Sequence, residues 1–309
     1  MILCCGEALI DMLPSQTNTG QNCFVPKVGG AVFNTAVALG RLSSDVSLFT
    51  GVSTDIFGRM IEFELENSNV GRSYLSRSNR PSTLAFVEFV HQNAKYTFYS
   101  SNAADTMLTL DDIPVGYKEF DTIFFGGISL CTDPTASTIV DLVKKCSDKS
   151  VLIFDPNIRS VFVSDEATYR SKVNQLLTLC DIIKLSDEDL NWLVPHENNI
   201  QMQVKALLSE TQKLLILTQG EKGATAFYGI NTIVMTPALV VDVADTVGAG
   251  DAFTAGLIYS LSKQGALSKA FCAGPNKFEL EKALSFAMKI AAHTVSQFGA
   301  NSPWLHQIL

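Results

Sequence analysis

The sequence predicts an α/β fold organised around a mostly parallel sheet. Short runs rich in Val, Ile, Leu and Phe recur along the chain, and helical patterns follow most of them. Strands in which apolar and polar residues do not alternate are typical of a parallel sheet that helices cover on both faces. From position 121 the order is regular, with strands predicted at 122–126, 151–155, 181–185 and 214–218 and helices at about 135–146, 167–179, 187–193 and 202–210.

Further elements are predicted before and after this regular part. They are strands at 1–7 and 46–51, a helix at 56–67, a hairpin at 224–235 and a long helix at 278–298. Since no linker separates these elements, we expect a single domain over residues 1–309.

A second hairpin, residues 83–99 around 91–93, interrupts the alternation of strands and helices. We expect it to join part of the N-terminal region in a small separate sheet, formed by about 12–28 and 82–100, with a polar loop at 15–22. Such a sheet serves either as a lid over a pocket or as a dimer edge, and both roles are open.

The composition of the chain excludes several classes of partner. The chain has 309 residues, 47% of them hydrophobic, and a formal net charge of −8 with no basic run, so we expect no nucleic-acid partner. Its seven cysteines include no CxxC pair, which favours reduced thiols in a cytoplasmic protein. Glu7 and Asp11 interrupt the apolar start, and no apolar run reaches the ~18 residues of a membrane span, so we expect neither a signal peptide nor a membrane partner.

The most informative stretch runs from Asp245 to Phe253, where two carboxylates flank a Gly-Ala-Gly turn. Apolar residues at helical spacing follow, so the turn is predicted to begin a helix. The N–H groups of Gly248, Ala249 and Gly250 then lack intrahelical partners, and the helix dipole adds roughly half a positive charge. This arrangement predicts an anion site suited to phosphate.

Asp251 stands in the first turn of that helix, and two interpretations of it are open. A carboxylate there stabilises a helix N-terminus by itself. Next to a phosphate, however, a second negative charge is costly unless it has a chemical role. Taking the proton from an attacking hydroxyl is such a role.

Other polar clusters follow the predicted strands, and ligands of parallel sheets bind at the carboxyl ends of strands. Asp11 is either a solvated strand-end residue or a ligand for sugar hydroxyls. Gly29 and Gly30 precede a helix that carries Asn34, and they permit close approach of a ligand. The remaining clusters lie at 126–127, 155–159, 184–189 and 218–223.

Two of these motifs together resemble the signatures of the ribokinase-like sugar kinases, the PfkB family. They are Gly29-Gly30-Ala31-x-x-Asn34 and Asp245-Thr-x-Gly-Ala-Gly-Asp251, whose separation also matches. The resemblance covers essentially the whole chain. Within the family the chain is most similar to bacterial fructokinases, on the basis of segments 6–11, 98–105, 155–159 and 184–188.

The resemblance implies a three-layer sandwich with a small β-sheet lid, and ATP-dependent, Mg²⁺-assisted phosphorylation of a sugar hydroxyl. It implies that Asp251 is the general base and that Gly248, Ala249 and Gly250 hold the transferred phosphoryl group with Arg159. The implied sugar-binding residues are Asp11, Gly29, Gly30, Asn34, Phe98, Arg159 and Asp251. The implied nucleotide-binding residues are Lys184, Ser186, Thr218, Gly220, Gly223, Gly248 and Gly250.

Cations are implied at two positions. Many family members carry Asn-x-x-Glu where this chain has Ser186-Asp187-Glu188-Asp189, so Asp189 would contact Mg²⁺ through water with a shorter reach. Family members often need a monovalent cation, such as K⁺, near the position of Asp245.

Three functions follow from the sequence. The first is a fructokinase that converts D-fructose to fructose 6-phosphate. The second is a kinase of the same fold for 2-keto-3-deoxygluconate, ribose or a nucleoside, and the third is a catalytically silent regulator that binds sugar or nucleotide. The expected partners are the sugar, ATP and, through the lid sheet, a second copy of the chain.

Overall fold

The structure, a computed structural model, describes residues 1–90, 93–208 and 211–308, without the side chains of 89–90 and 93–95. Its main sheet has nine strands in the order β13-β12-β11-β10-β9-β8-β1-β4-β5. The strands are β1 Ile2–Cys5, β4 Val46–Ser53, β5 Leu75–Ser78, β8 Thr122–Gly126, β9 Val151–Asp155, β10 Ile182–Ser186, β11 Leu214–Thr218, β12 Ala224–Tyr228 and β13 Asn231–Thr236. Neighbouring strands from β5 to β11 pair in parallel, and β12 and β13 form an antiparallel edge.

Helices cover both faces of this sheet, which confirms the predicted three layers. In β1, Ile2 and Cys4 pack into one core while Leu3 and Cys5 pack into the other. The first layer holds α1 Ala31–Arg41, α2 Ile56–Asn67, α7 Ala249–Lys263, α8 Lys269–Cys272 and α9 Lys277–Val295. The second holds α3 Thr135–Cys146, α4 Glu166–Leu179, α5 Asp187–Leu193 and α6 Ile200–Leu208.

Four further strands form the smaller sheet, here called the lid. They are β2 Leu9–Gln16, β3 Asn22–Gly29, β6 Leu84–Val90 and β7 Asn93–Tyr99, in the order β3-β2-β6-β7. The predicted turn residues His91 and Gln92 lie outside the described residues. The loop predicted at 15–22 was wrong in length, because Gln16 still pairs with Asn22 and only 17–21 turn. Polar residues suit an exposed hairpin, so their composition did not mark the end of the strand.

Other boundaries also differ from the predictions. The first strand ends at Cys5, because the chain turns there and buries Glu7. Strand β5 was not predicted. The last helix ends at Val295 rather than 298, and the predicted end of α6 at 210 lies outside the described residues. Among the described residues, no helix combines the length and apolar character that a membrane crossing requires.

Candidate active site

The N-terminus of α7 presents free amides towards the carboxyl end of the sheet. Gly248 precedes the helix with a φ of 77°, a left-handed conformation that favours glycine, and a Cβ there would lie 2.5 Å from the Cβ of Ala300. The N–H of Ala249 donates to the carbonyl of Thr246 at 3.3 Å. Backbone acceptors within the described residues leave the N–H groups of Gly248, Gly250 and Asp251 free. Of the three predicted amides, those of Gly248 and Gly250 are therefore free of backbone acceptors, that of Ala249 makes one long contact, and the amide of Asp251 is a further candidate donor.

Asp251 is buried, with 8% of its surface exposed, beside these amides. Its Oδ2 accepts a hydrogen bond from the Nδ2 of Asn34 at 2.9 Å, so α1 positions the carboxylate of α7. Burial raises the pKa of Asp251 to about 6, and nearby Asp155 adds to the rise, while Asn34, Lys184 and Arg159 oppose it. A carboxylate with such a pKa is a stronger base than an exposed one and is still ionised at neutral pH.

Lys184 supplies a buried positive charge at the same place. Its Nζ lies 2.9 Å from Oδ2 of Asp155, and both side chains are nearly inaccessible. A Cβ at Gly250 would lie only 3.3 Å from this Nζ, so the ammonium group stands against the first turn of α7. Burial alone would lower the pKa of Lys184, but the carboxylates of Asp155, Asp189 and Asp251 outweigh it and raise the pKa. The lysine is therefore charged and lies beside the first amides of α7.

Asp189 and Ser186 have structural roles in this arrangement. Oδ2 of Asp189 accepts from the N–H and hydroxyl of Ser186, at 2.9 and 2.6 Å, and Oδ1 accepts from the N–H of Ile158 at 2.7 Å. Ser186 in turn caps α5 by accepting from the N–H of Asp189. The carboxylate thus ties the loop after β9 to the start of α5, and the described residues contain no cluster of three or more metal-ligating side chains.

Asp11 and the glycine pair meet where the lid joins the main sheet. A Cβ at Gly29 would lie 2.3 Å from Oδ2 of Asp11. Any residue other than glycine would therefore displace the carboxylate. Burial raises the pKa of Asp11 to about 6. Gly30 precedes α1 without a side-chain cap.

Glu7 replaces that missing cap, and the sequence analysis gave it no role. Its Oε1 accepts from the N–H of Ala31 at 2.9 Å and of Val32 at 3.4 Å, and its Oε2 accepts from the N–H of Ser129 at 3.3 Å. Burial raises the pKa of Glu7 to about 7, although the hydrogen bonds from the backbone act to lower it. Two separate signals were present in the sequence, a Glu just after an apolar strand and, 24 residues later, a helix start without Ser, Thr, Asp or Asn at its N-cap.

The lid lies over this region. The ring of Phe98 on β7 contacts that of Phe162, in the segment after β9, with 4.1 Å between centroids. Tyr96 is close enough to Asp11, Arg159 and Asp245 for their charges to affect its pKa, which burial mainly raises. Arg159 is exposed, and its charge also acts on Asp251. The structure therefore brings the predicted sugar-binding residues of the lid, α1 and the β9 loop together.

A cavity of about 560 Å³ adjoins the free amides on the other side of α7. Thr218, Gly220 and Gly223 line it, as predicted, together with Gly250. Lys184 and Ser186, also predicted to bind nucleotide, do not line it. The start of α7 and the loop before it contribute Thr246, Ala249 and Phe253, and Glu221 also lines the cavity. The remaining walls are apolar and come from segment 238–243 and α9, namely Ala238, Leu239, Val240, Val241, Val243, Met288, Ala291, Ala292 and Val295.

Asp245 fixes the loop that precedes the anion turn. Its Oδ1 accepts from the N–H of Val247 at 3.0 Å, and its Oδ2 accepts from the N–H of Gly299 at 2.9 Å. The loop before α7 is thereby attached to the chain after α9.

An amide-lined helix N-terminus, a buried carboxylate beside it and a largely apolar cavity next to both are what an enzyme that transfers a phosphoryl group from a nucleotide to a hydroxyl requires. The family model for the pfkB family carbohydrate kinases matches residues 1–307. The chain belongs to this family.

Similar proteins are fructokinases. One from Rhizobium leguminosarum bv. trifolii is 41% identical over 273 residues, which cover 87% of this chain and 82% of the relative. The structure of the Xylella fastidiosa fructokinase with bound ATP aligns with a TM-score of 0.89 at 26% identity, covering 99% of this chain and 96% of that one. A Vibrio cholerae O395 fructokinase variant in its fructose-, ADP- and potassium-bound form aligns with a TM-score of 0.85 at 26% identity, covering 100% and 97%.

Proposed function

We propose that this chain is an ATP-dependent fructokinase that phosphorylates the 6-hydroxyl of D-fructose, with Asp251 as the general base. The observation that carries the proposal is the buried Asp251 carboxylate, fixed by Asn34 next to free amides and next to the 560 Å³ cavity. The 41% identity to a fructokinase supports fructose as the acceptor.

In this mechanism the base and phosphates of ATP occupy the cavity, and the γ-phosphoryl group lies against the free amides of α7. Phosphoryl transfer needs in-line positioning and stabilisation of charge on the equatorial oxygens. The amides of Gly248, Gly250 and Asp251 and the ammonium of Lys184 supply that stabilisation. Asp251 accepts the hydroxyl proton as the oxygen attacks, and Arg159 approaches from the lid side.

Substrate binding falls to Asp11, the glycine pair, Asn34 and Phe98. A carboxylate accepts hydrogen bonds from sugar hydroxyls, and a side-chain amide can both accept from them and donate to them. The lid excludes water, which would otherwise compete with the sugar for the phosphoryl group. We propose that the chain acts as one domain, with the lid closing over the sugar.

Cations complete the site in this proposal. Mg²⁺ supplies neutralisation of phosphate charge, and it keeps several waters because it dehydrates reluctantly. Both Asp189 oxygens already accept hydrogen bonds, so Asp189 and Asp155 fit water-mediated contact better than direct ligation. We propose that a monovalent cation such as K⁺ would bind near the loop held by Asp245, since a related fructokinase variant was solved in a potassium-bound form.

We also propose a homodimer through the lid and a cytoplasmic location. Phe24 and Tyr99 are exposed at 47% and 63%, and each packs edge-on against Phe86, with centroids 5.0 and 5.5 Å apart. This aromatic row suits a second copy of the same surface. All seven cysteines are free, which suits a reducing compartment that supplies ATP.

The test combines a substrate panel with one variant. ADP release from ATP is measured with fructose, ribose, 2-keto-3-deoxygluconate and adenosine as acceptors. We expect the highest kcat/KM with fructose, and Asp251→Asn should lower kcat by roughly 10²–10⁴ while sugar and ATP binding persist. Turnover with none of the acceptors would instead support a regulator, and an unchanged kcat in the variant would remove Asp251 from the mechanism.

A further inference from the structure

A small polar cavity, separate from the nucleotide cavity, lies beneath the lid. It has a volume of about 20 Å³, room for one water-sized group. Its polar walls come from the start of β6, the chain after β7 and the end of β8, and are Thr83, Ser100, Asp105, Thr106, Ser129 and Thr132. Within the described part of the chain, its lining includes no Lys, Arg or His.

Asp105 leaves one oxygen of its carboxylate without a partner there. The residue is only 5% exposed, and its Oδ1 accepts from the hydroxyl of Thr83 at 2.6 Å. Its Oδ2 receives no hydrogen bond from any other described residue. Burial raises the pKa of Asp105 to about 6, while the Thr83 hydroxyl and the backbone N–H of Asp105 itself oppose this. A buried carboxylate that accepts so few hydrogen bonds is costly, so a further hydrogen-bond donor in the cavity would be stabilising.

The walls of this cavity are shared with the sugar site. The carbonyl of Thr83 accepts from the N–H of Ile10, the residue before Asp11, at 3.0 Å. The N–H of Ser129 donates to Glu7, which caps the helix that carries Asn34. Phe162 lines the cavity and also contacts Phe98 of the lid. These contacts connect the walls of the cavity to the elements that carry Asp11, Asn34 and Phe98.

We propose that the cavity receives one sugar hydroxyl, other than the one phosphorylated, and that Asp105 accepts its hydrogen bond. The inference rests on the proposed sugar kinase function and deepens it, because it assigns a specificity-determining residue. It also defines the acceptor class as a neutral polyhydroxy sugar. A sugar acid that placed its carboxylate here would meet Asp105 with no cation to balance the two charges.

The experiment compares three forms of the full chain, namely wild type, Asp105→Asn and the control Asp111→Asn. Asp111 is an exposed carboxylate a few residues further along. Each form is assayed by ADP release with fructose and with analogues that lack the hydroxyl at C1, C3 or C4. Asn can keep the Thr83 contact through its oxygen while it presents an NH₂ group, instead of an acceptor, to the cavity.

We expect one analogue to lose roughly 10- to 100-fold in kcat/KM with the wild type. Asp105→Asn should lower kcat/KM for fructose by a similar factor and leave the value for that analogue nearly unchanged. The KM for ATP should not change, and Asp111→Asn should behave as wild type. A merely structural role of Asp105 would not produce this selective pattern.

Two results would overturn the inference alone. One is a uniform loss with every acceptor in Asp105→Asn, and the other is equal turnover of fructose and all three analogues by the wild type. The second readout does not depend on whether the variant folds. A wild type that phosphorylates no sugar would overturn the proposed function as well.

Discussion

Asp251, the proposed general base, has a carboxyl group whose pKa is raised. Because its pKa is about 6, the carboxylate form that accepts a proton is lost as the pH falls through that value. We expect kcat/KM for the sugar to be constant near neutral pH and to fall about tenfold per pH unit below about 6. The measurement is the pH profile of ADP release at low sugar concentration.

The control for this profile is Asp11→Asn. Asp11 also has a pKa of about 6, so its contribution to sugar binding must be separated from that of the base. The variant should keep the acidic limb with a raised KM for sugar. A profile that stays flat from pH 7 to 5 would contradict the assignment of Asp251.

Variants of Lys184 and Asp155 can separate the contribution of this ion pair to stability from the contribution of Lys184 to activity. Lys184→Met leaves the Asp155 carboxylate buried without its partner, which costs about 3–5 kcal/mol of unfolding free energy. Adding Asp155→Asn removes that charge, so the double variant should regain most of the stability. It should remain slower by roughly 10²–10³ in kcat, because the phosphate has lost its fixed cation.

Urea unfolding and ADP-release kinetics on the same three proteins measure both effects. Recovery of activity together with stability in the double variant would show that Lys184 is only structural.

Among the elements, α1 depends on a residue far from it in sequence. Glu7 accepts hydrogen bonds from the first amides of α1 and from Ser129, so Glu7→Ala leaves these donors unsatisfied. We expect a loss of about 1–3 kcal/mol in unfolding free energy and a raised KM for sugar, since α1 carries Asn34. Glu7→Gln keeps one acceptor oxygen and should lose less. Equal effects of the two substitutions in urea titrations would argue against the capping role.

The same element shows how far the sequence could predict the molecule. Apolar runs and Gly-rich turns were sufficient for the parallel strands other than β5, for the lid and for the turn before α7, because each signal is local. The capping of α1 by Glu7 depends on where separate segments meet. The roles of Asp189 and Asp105 also depend on such contacts, which no local pattern encodes.

For the whole molecule, the aromatic face of the lid predicts the oligomeric state. We expect a dimer in sedimentation experiments, and Phe24→Ser with Tyr99→Ser should shift it to the monomer by removing the exposed apolar row. Phe63→Ser is the matched control, since Phe63 is 64% exposed on α2, which is not part of the lid sheet. Dissociation by the control alone, or a monomeric wild type, would contradict a lid interface.

The cluster of buried carboxyls also makes overall stability depend on pH. Burial raises the pKa to about 7 for Glu7 and to about 6 for Asp11, Asp105 and Asp251. The unfolded chain has values of about 4, so the folded chain holds these protons more tightly. Their stabilising contribution is complete below pH of about 4 and is lost as the pH rises through 6 to 7.

We therefore expect the thermal midpoint to rise by several degrees when the pH falls from 8 to 5.5. Some carboxyls, such as Asp55 and Glu62, have a lowered pKa in the folded chain. Their stabilising contribution is lost only at lower pH, so they do not oppose the effect between pH 8 and 5.5. Scanning calorimetry without ligands measures it, and Glu7→Gln combined with Asp251→Asn should flatten the dependence. A midpoint that falls on acidification to 5.5 would mean that the buried carboxylates are stabilised in their charged form, and the acidic site would then have to be balanced by a cation held within it.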